Sequence, residues 1–139
     1  MYSTCLCALA FASFSCAAFA AQTPRSLALD HLIARYARIN AIPESLVRRV
    51  VVKESNFEPT AFNGRYYGLM QITYRTACSM GYRGDPKGLL NPEVNLTYAV
   101  PYLANAYRLA GGNAARAIRL YSTGYYSVAK RRKLLDGTR

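Results

Sequence analysis

Leu46, Val47, Val50 and Val51 fall on one face of a helix, and Glu54 continues that face four residues after Val50 and seven after Val47. This stripe constrains the fold more than any other stretch. It demands a neighbour to cover it, and it carries a carboxylate toward whatever covers it. Ile42-Pro43 stops any earlier helix, and Pro43 suits a helix start, where its missing N–H would be unpaired anyway. The spacing predicts a helix over Glu44–Ser55, with Arg49 and Lys53 pointing elsewhere. An unpaired carboxylate on an apolar face costs several kcal/mol if ionised, which favours a proton on it. Two readings of Glu54 stand at this point: a working acid, or a helix-end side chain that reaches solvent.

The same period recurs along the chain. Ser26–Asn40 places Leu29, Leu32, Ile33, Tyr36 and Ile39 at helical spacing. Phe57–Tyr67 reads as a loop, with Pro59 and Asn63-Gly64 as turn formers. Gly68–Met80 returns to helical spacing and ends at Gly81, and Tyr82–Asn91 reads as a second loop. Asn91-Pro92 starts a helix that buries Leu96, Ala99, Val100, Leu103, Tyr107 and Ala110. Pro101 inside it should kink it or cost about 3 kcal/mol. Gly111-Gly112 stops it, and Asn113 caps a short helix carrying Ala114, Ala117, Ile118 and Tyr121 that ends at Gly124. Ser127–Leu135 is a last basic helix or tail. No segment alternates like a strand. The expected fold is all-α, one compact domain of about five or six short helices.

Met1–Ala20 has no charged side chain, is apolar from Leu6, and ends in Ala-Phe-Ala. It reads as a signal peptide over residues 1–20, leaving a domain over 21–139 and export to the periplasm or cell envelope. Removal takes Cys5, Cys7 and Cys16 with it, so Cys78 alone remains, in a helical apolar context that suits a buried thiol. The net charge of +11 lies wholly outside the leader. Such a charge favours polyanions: nucleic acid, anionic lipid or the carboxylates of cell-wall peptides. Export argues against nucleic acid, and polar substitutions across every helix argue against stable membrane insertion. A monomer is expected.

One His and no Cys pair make no metal site, and no Gly-rich phosphate loop occurs, so no cofactor is expected. What remains is carboxylate chemistry among aromatic rings, with 12 Tyr and no Trp. Tyr rings can stack on sugars, although at helical spacing they also serve as core.

Three stretches carry a family resemblance. The first is Glu54-Ser55-Asn56-Phe57-Glu58-Pro59-Thr60-Ala61, followed by Gly68-Leu69-Met70-Gln71-Ile72 and Thr76-Ala77. The second is Leu90-Asn91-Pro92-Glu93 with Asn95-Leu96 and Tyr102-Leu103, and the third is Leu120-Tyr121-Ser122-Thr123-Gly124. In this order they resemble the soluble-type lytic transglycosylase domain, a lysozyme-like fold acting on peptidoglycan. The resemblance implies that Glu54 is the single catalytic acid/base and that Ser55, the Ser that follows it, is among the substrate-binding residues of the groove. It implies that Gln71, Tyr102 and Tyr121 line the sugar groove, with Tyr121 near the acid, and that Asn63 binds a peptide or sugar group. Met70 and Ile72 would pack the floor. The chain departs from the family pattern at Asn63–Tyr67, at Ser122 and at Pro101, which bears on subsite preference.

The implied reaction cleaves the glycosidic bond after N-acetylmuramic acid and closes a 1,6-anhydro ring with one carboxylate, whereas ordinary glycosidases use two. A hydrolytic muramidase on the same fold would need Glu58 or Asp85 to reach the far side of the sugar. A third alternative is an inactive wall-binding module accessory to secretion. The partner is the glycan strand. Service to a secretion or flagellar machine is left open.

Overall fold

Side-chain oxygens start the helices at the places the sequence marks. Asn91 Oδ1 accepts from the backbone N–H of Glu93 and Val94 at 3.0 and 3.1 Å, and Asn113 Oδ1 accepts from Arg116 N at 2.9 Å. Each such cap stabilises its helix by about 1 kcal/mol. The computed structural model describes residues 24–136. The elements run α1 (Pro24–Ile39), α2 (Glu44–Ser55), β1 (Tyr66–Tyr67), β2 (Ile72–Thr73), α3 (Tyr74–Ser79), a 3-10 turn (Pro86–Leu90), α4 (Pro92–Leu109), α5 (Ala114–Thr123) and α6 (Tyr126–Asp136). The leader expected over residues 1–20 lies outside the described residues. Among the described residues no helix is long and apolar enough to cross a membrane.

α4 is the central element and packs against α1, α5 and the 3-10 turn, while α2 packs on α1. Leu46, Val47, Val50 and Val51 of α2 are buried to 1% exposure or less, in one core with Ile33 and Ala37 of α1 and Leu96, Ala99, Val100 and Leu103 of α4. Burying each large member of this set stabilises the fold by about 1.5–3 kcal/mol. The stripe that opened the sequence argument is therefore the floor of the core, and its last member, Glu54, stands at the edge.

Several expectations need correction. Ile39 is 62% exposed, and Ala37 takes the inward position. α1 ends there, and the chain turns through Ala41 at φ 52°. Tyr107 and Cys78 are half-buried rather than buried. α4 runs on through Pro101 despite the missing N–H. The loop over 82–91 contains the 3-10 turn, capped by Asp85.

The largest correction concerns Gly68–Met80, which is not one helix. Tyr66 pairs with Thr73 and Tyr67 with Ile72 in a two-stranded antiparallel sheet, and the helix begins only at Tyr74, capped by Thr73. Gly68 and Gln71 have φ of +69° and +48°, which a helix does not accept. Strands of two residues are too short to leave an alternating pattern.

That turn is fixed because the four carbonyls from Tyr67 to Met70 are each claimed by a side chain. The carbonyl of Tyr67 accepts from Asn95 Nδ2 at 2.8 Å, and that of Gly68 from Gln71 Nε2 at 2.9 Å. Leu69 O accepts from Ser55 Oγ at 2.8 Å, and Met70 O from the Tyr121 hydroxyl at 2.7 Å. Met70 N donates to Asn95 Oδ1 at 3.0 Å, and Asn95 Nδ2 also reaches Leu89 O at 2.9 Å. Asn95 is the one fully buried polar side chain among the described residues. A Cβ on Gly68 would lie 2.4 Å from its Nδ2, so only glycine admits it.

Asn95→Ala strips partners from three buried backbone groups at once and should destabilise the domain by about 3–5 kcal/mol. Urea unfolding should show a lower midpoint with little change in slope. Ser55→Ala leaves only Leu69 O unsatisfied and should cost about 1–2 kcal/mol in the same assay.

Candidate active site

Glu54 lies in the last turn of α2 with its side chain 21% exposed. Its carboxylate faces a cleft walled by Lys53, Asn63, Tyr66, Gln71, Tyr121 and Ser122. A second cleft shares Tyr66, Gln71, Tyr121 and Ser122 and continues past Arg65, Arg75, Tyr102 and Gly124. The two form one groove between the β1–β2 hairpin and the end of α5. A separate hollow beside α1, lined by His31, Arg35, Arg38 and Glu44, holds none of the expected site residues.

Glu54 has polar company that spacing did not foresee. Lys53 Nζ lies 3.5 Å from Glu54 Oε1 and donates to Ser122 Oγ at 2.7 Å. Ser122 Oγ in turn lies 3.5 Å from Glu54 Oε1. The expectation of an unpaired carboxylate, and of a lysine pointing elsewhere, is corrected. Neighbours on a helix diverge by about 100°, but the four-carbon stem of Lys53 folds back across that angle.

The remaining expected residues divide by where their polar atoms go. Tyr121 is buried at the groove wall. Burial first, then the nearby Glu54 carboxylate and Tyr102, push its hydroxyl well above the ordinary tyrosine range. It keeps its proton and spends it on Met70 O, so what it offers the groove is ring surface. Tyr102 meets Tyr121 edge-on at 5.5 Å and stacks on Tyr125 at 4.5 Å. Burial raises the Tyr102 hydroxyl, and a hydrogen bond from the Tyr125 backbone partly opposes this. Gln71 donates to Ala61 O and Gly68 O at 3.1 and 2.9 Å, and its amide oxygen has no protein partner among the described residues.

Asn63 lines the cleft while its Oδ1 accepts from Tyr66 N at 3.1 Å, closing the turn around Gly64. The structure brings Glu54, Asn63, Gln71 and Tyr121 to one cleft and Tyr102 to its neighbour. Ser55 is not among the lining residues. Its hydroxyl is turned inward to Val51 O and Leu69 O, so it braces the turn and makes no wall for substrate.

The alternative second carboxylates do not reach the groove. Glu58 Oε1 accepts from Thr60 N at 3.0 Å. Asp85 Oδ1 accepts from Lys87 N at 2.8 Å and borders a different, apolar hollow with Phe62 and Tyr67. Among the described residues that line the groove, Glu54 is the one carboxylate, set among Lys53, Arg65 and Arg75. Sequence reasoning missed Lys53 and Arg75 as lining residues, and it met Arg65 and Tyr66 only inside the departure at Asn63–Tyr67. Ser122 was visible only as a departure from the family pattern.

Comparison with known proteins agrees with this geometry. Residues 31–136 match the family model of the transglycosylase SLT domain. The chain is 33% identical over 99 residues to the peptidoglycan transglycosylase gp16 of Escherichia phage T7, a match covering 68% of this chain and 8% of that protein. Its fold is similar to that of the 70-kDa soluble lytic transglycosylase solved in complex with bulgecin A. There the TM-score is 0.65 and the identity 30%, covering 70% of this chain and 17% of the other. The chain thus spans a small part of either relative. A helical fold with a small sheet, a family match over most of the described residues, and a lone carboxylate in a tyrosine-walled groove converge: the chain belongs to the transglycosylase SLT domain family.

Proposed function

We propose that the domain is a peptidoglycan lytic transglycosylase in which Glu54 alone serves as acid and base. The observation that carries this reading is the isolation of Glu54: it is the one carboxylate among the described lining residues of the groove. A hydrolytic mechanism of the ordinary kind needs a second carboxyl across the sugar, within about 5–9.5 Å. Glu58 and Asp85 are engaged in their own turns instead.

In the proposed reaction the Glu54 carboxyl donates its proton to the oxygen bridging N-acetylmuramic acid and N-acetylglucosamine. The C1–O bond breaks, and the substrate's own N-acetyl group supports the positive C1. The Glu54 carboxylate then takes the proton of the muramyl C6 hydroxyl as that oxygen bonds to C1. The 1,6-anhydro ring closes, Glu54 regains its proton, and no water is consumed. The Tyr66, Tyr102 and Tyr121 rings give the groove apolar surface for sugar faces. The Gln71 amide oxygen and the Asn63 side chain, both at the cleft, would orient hydroxyl or amide groups.

Glu54→Gln should lower the rate of glycan cleavage by about 10²–10⁴-fold or more while leaving the fold intact. Mass spectrometry of wild-type digests should find anhydromuramyl ends. Hydrated reducing ends would instead make the domain a lysozyme, and undiminished cleavage by the Gln variant would remove Glu54 from the chemistry.

The same reading has the domain acting in the cell envelope, supported by the uncharged apolar stretch Met1–Ala20. Expression in a bacterial host should give an envelope-located protein whose first residue is Ala21 or Gln22. Retention of Met1 in a cytosolic product would count against export.

A further inference from the structure

We propose that Lys53 is the binding residue for a carboxylate of the substrate, and that it leaves Glu54 to take up that role. The inference rests on the glycan-cleaving reading above. Its basis is the arrangement at the mouth of the cleft. The Lys53 ammonium is 3.5 Å from Glu54 and held at 2.7 Å by Ser122, which belongs to a different helix. The ammonium thus stands at the cleft wall with two contacts. The pair itself is weak: the Lys53 and Glu54 side chains are 53% and 21% exposed, and a contact this long and this wet adds little stability. A lysine held in place but loosely paired can be exchanged at small cost.

The chemistry of the partner follows from the charge on Lys53 and its place at the wall of the cleft that Glu54 lines. An ammonium that gives up a long, solvated contact needs another anion at closer range, and a carboxylate carried by the substrate supplies it. Peptidoglycan offers such an anion beside the scissile bond in two forms: the lactyl carboxylate on C3 of a peptide-free muramyl residue, and the carboxylates of an attached stem peptide. Either presents the same group to Lys53. Arg65 and Arg75 stand further along the groove, in the cleft that Glu54 does not line.

The test compares the wild type with Lys53→Met on two matched pairs of substrate. One pair is peptide-free glycan before and after conversion of its lactyl carboxylates to methylamides. The other is peptide-bearing strands before and after amidation of the stem carboxylates. For the wild type, the pair that carries the recognised anion should show a KM about tenfold lower for the charged member, the size of one charge-assisted contact. That advantage should shrink as salt is raised. In Lys53→Met the ratio should fall close to one, with the larger change in KM than in kcat. A wild type indifferent to amidation in both pairs, or a preference that survives in Lys53→Met, overturns the proposal. Failure of the wild type to cleave any of the four substrates would overturn the glycan-cleaving reading beneath it. That outcome is distinct, because it appears as absent turnover and not as a lost ratio.

Discussion

Four consecutive carbonyls, those of Tyr67, Gly68, Leu69 and Met70, each accept a hydrogen bond from a different side chain. The donors come from α2, from α4, from α5 and from the turn itself. A turn with two residues at positive φ has no helical ladder and only a short sheet to absorb its polar groups. The Gly68 carbonyl also accepts from Gln71 N at 3.1 Å, but the other three, left unpaired beside the fully buried Leu69 and Met70, would each cost about 1–3 kcal/mol. The four donors turn that liability into a fastening, because the turn can be satisfied only where the three helices meet.

The fastening is also what aims the site. Ser55 follows Glu54 directly, and its bond to Leu69 O fixes the last turn of α2 against the hairpin. Tyr121 walls the cleft beside Glu54, and its bond to Met70 O fixes the end of α5 against the same turn. Glu54 and the Tyr121 wall of its cleft are therefore referenced to one piece of backbone. Positioning of this kind matters because displacements near 1 Å can cost about 10²-fold in rate. Asn95 and Ser55, which line neither cleft, hold the geometry of residues that do.

How much of this could be read from the residues depended on the range of the interactions involved. α2 was legible to the residue because its stripe, its preceding Pro43 and its buried face all speak at short range. The starts of α4 and α5 were legible for the same reason, through Asn91 and Asn113. The hairpin was not, because what forbids a helix over 68–73 is a set of bonds from residues up to 51 positions away. Periodicity counts apolar residues and cannot register such donors. The family resemblance placed Glu54, Gln71 and Tyr121 in one site, but it treated Ser55 as a groove residue when its hydroxyl faces the core. Lys53 escaped because helix geometry gives the direction of a Cβ, and a long side chain need not follow it.

The groove combines electrostatics at two ranges. A chain of net charge +11, with Lys53, Arg65 and Arg75 along the groove, sets up a field that favours polyanions over distances set by the screening length, about 8 Å at physiological salt. At short range the contact between Lys53 and Glu54 is long, partly solvated and shared with Ser122. Pairs of that kind are worth about 0–1 kcal/mol, less than the tenfold step of 1.4 kcal/mol in an equilibrium constant. The ammonium can therefore exchange partners at little cost while the field of the groove is unchanged. An arginine at residue 53, forked onto Glu54, would keep the charge but lose that freedom.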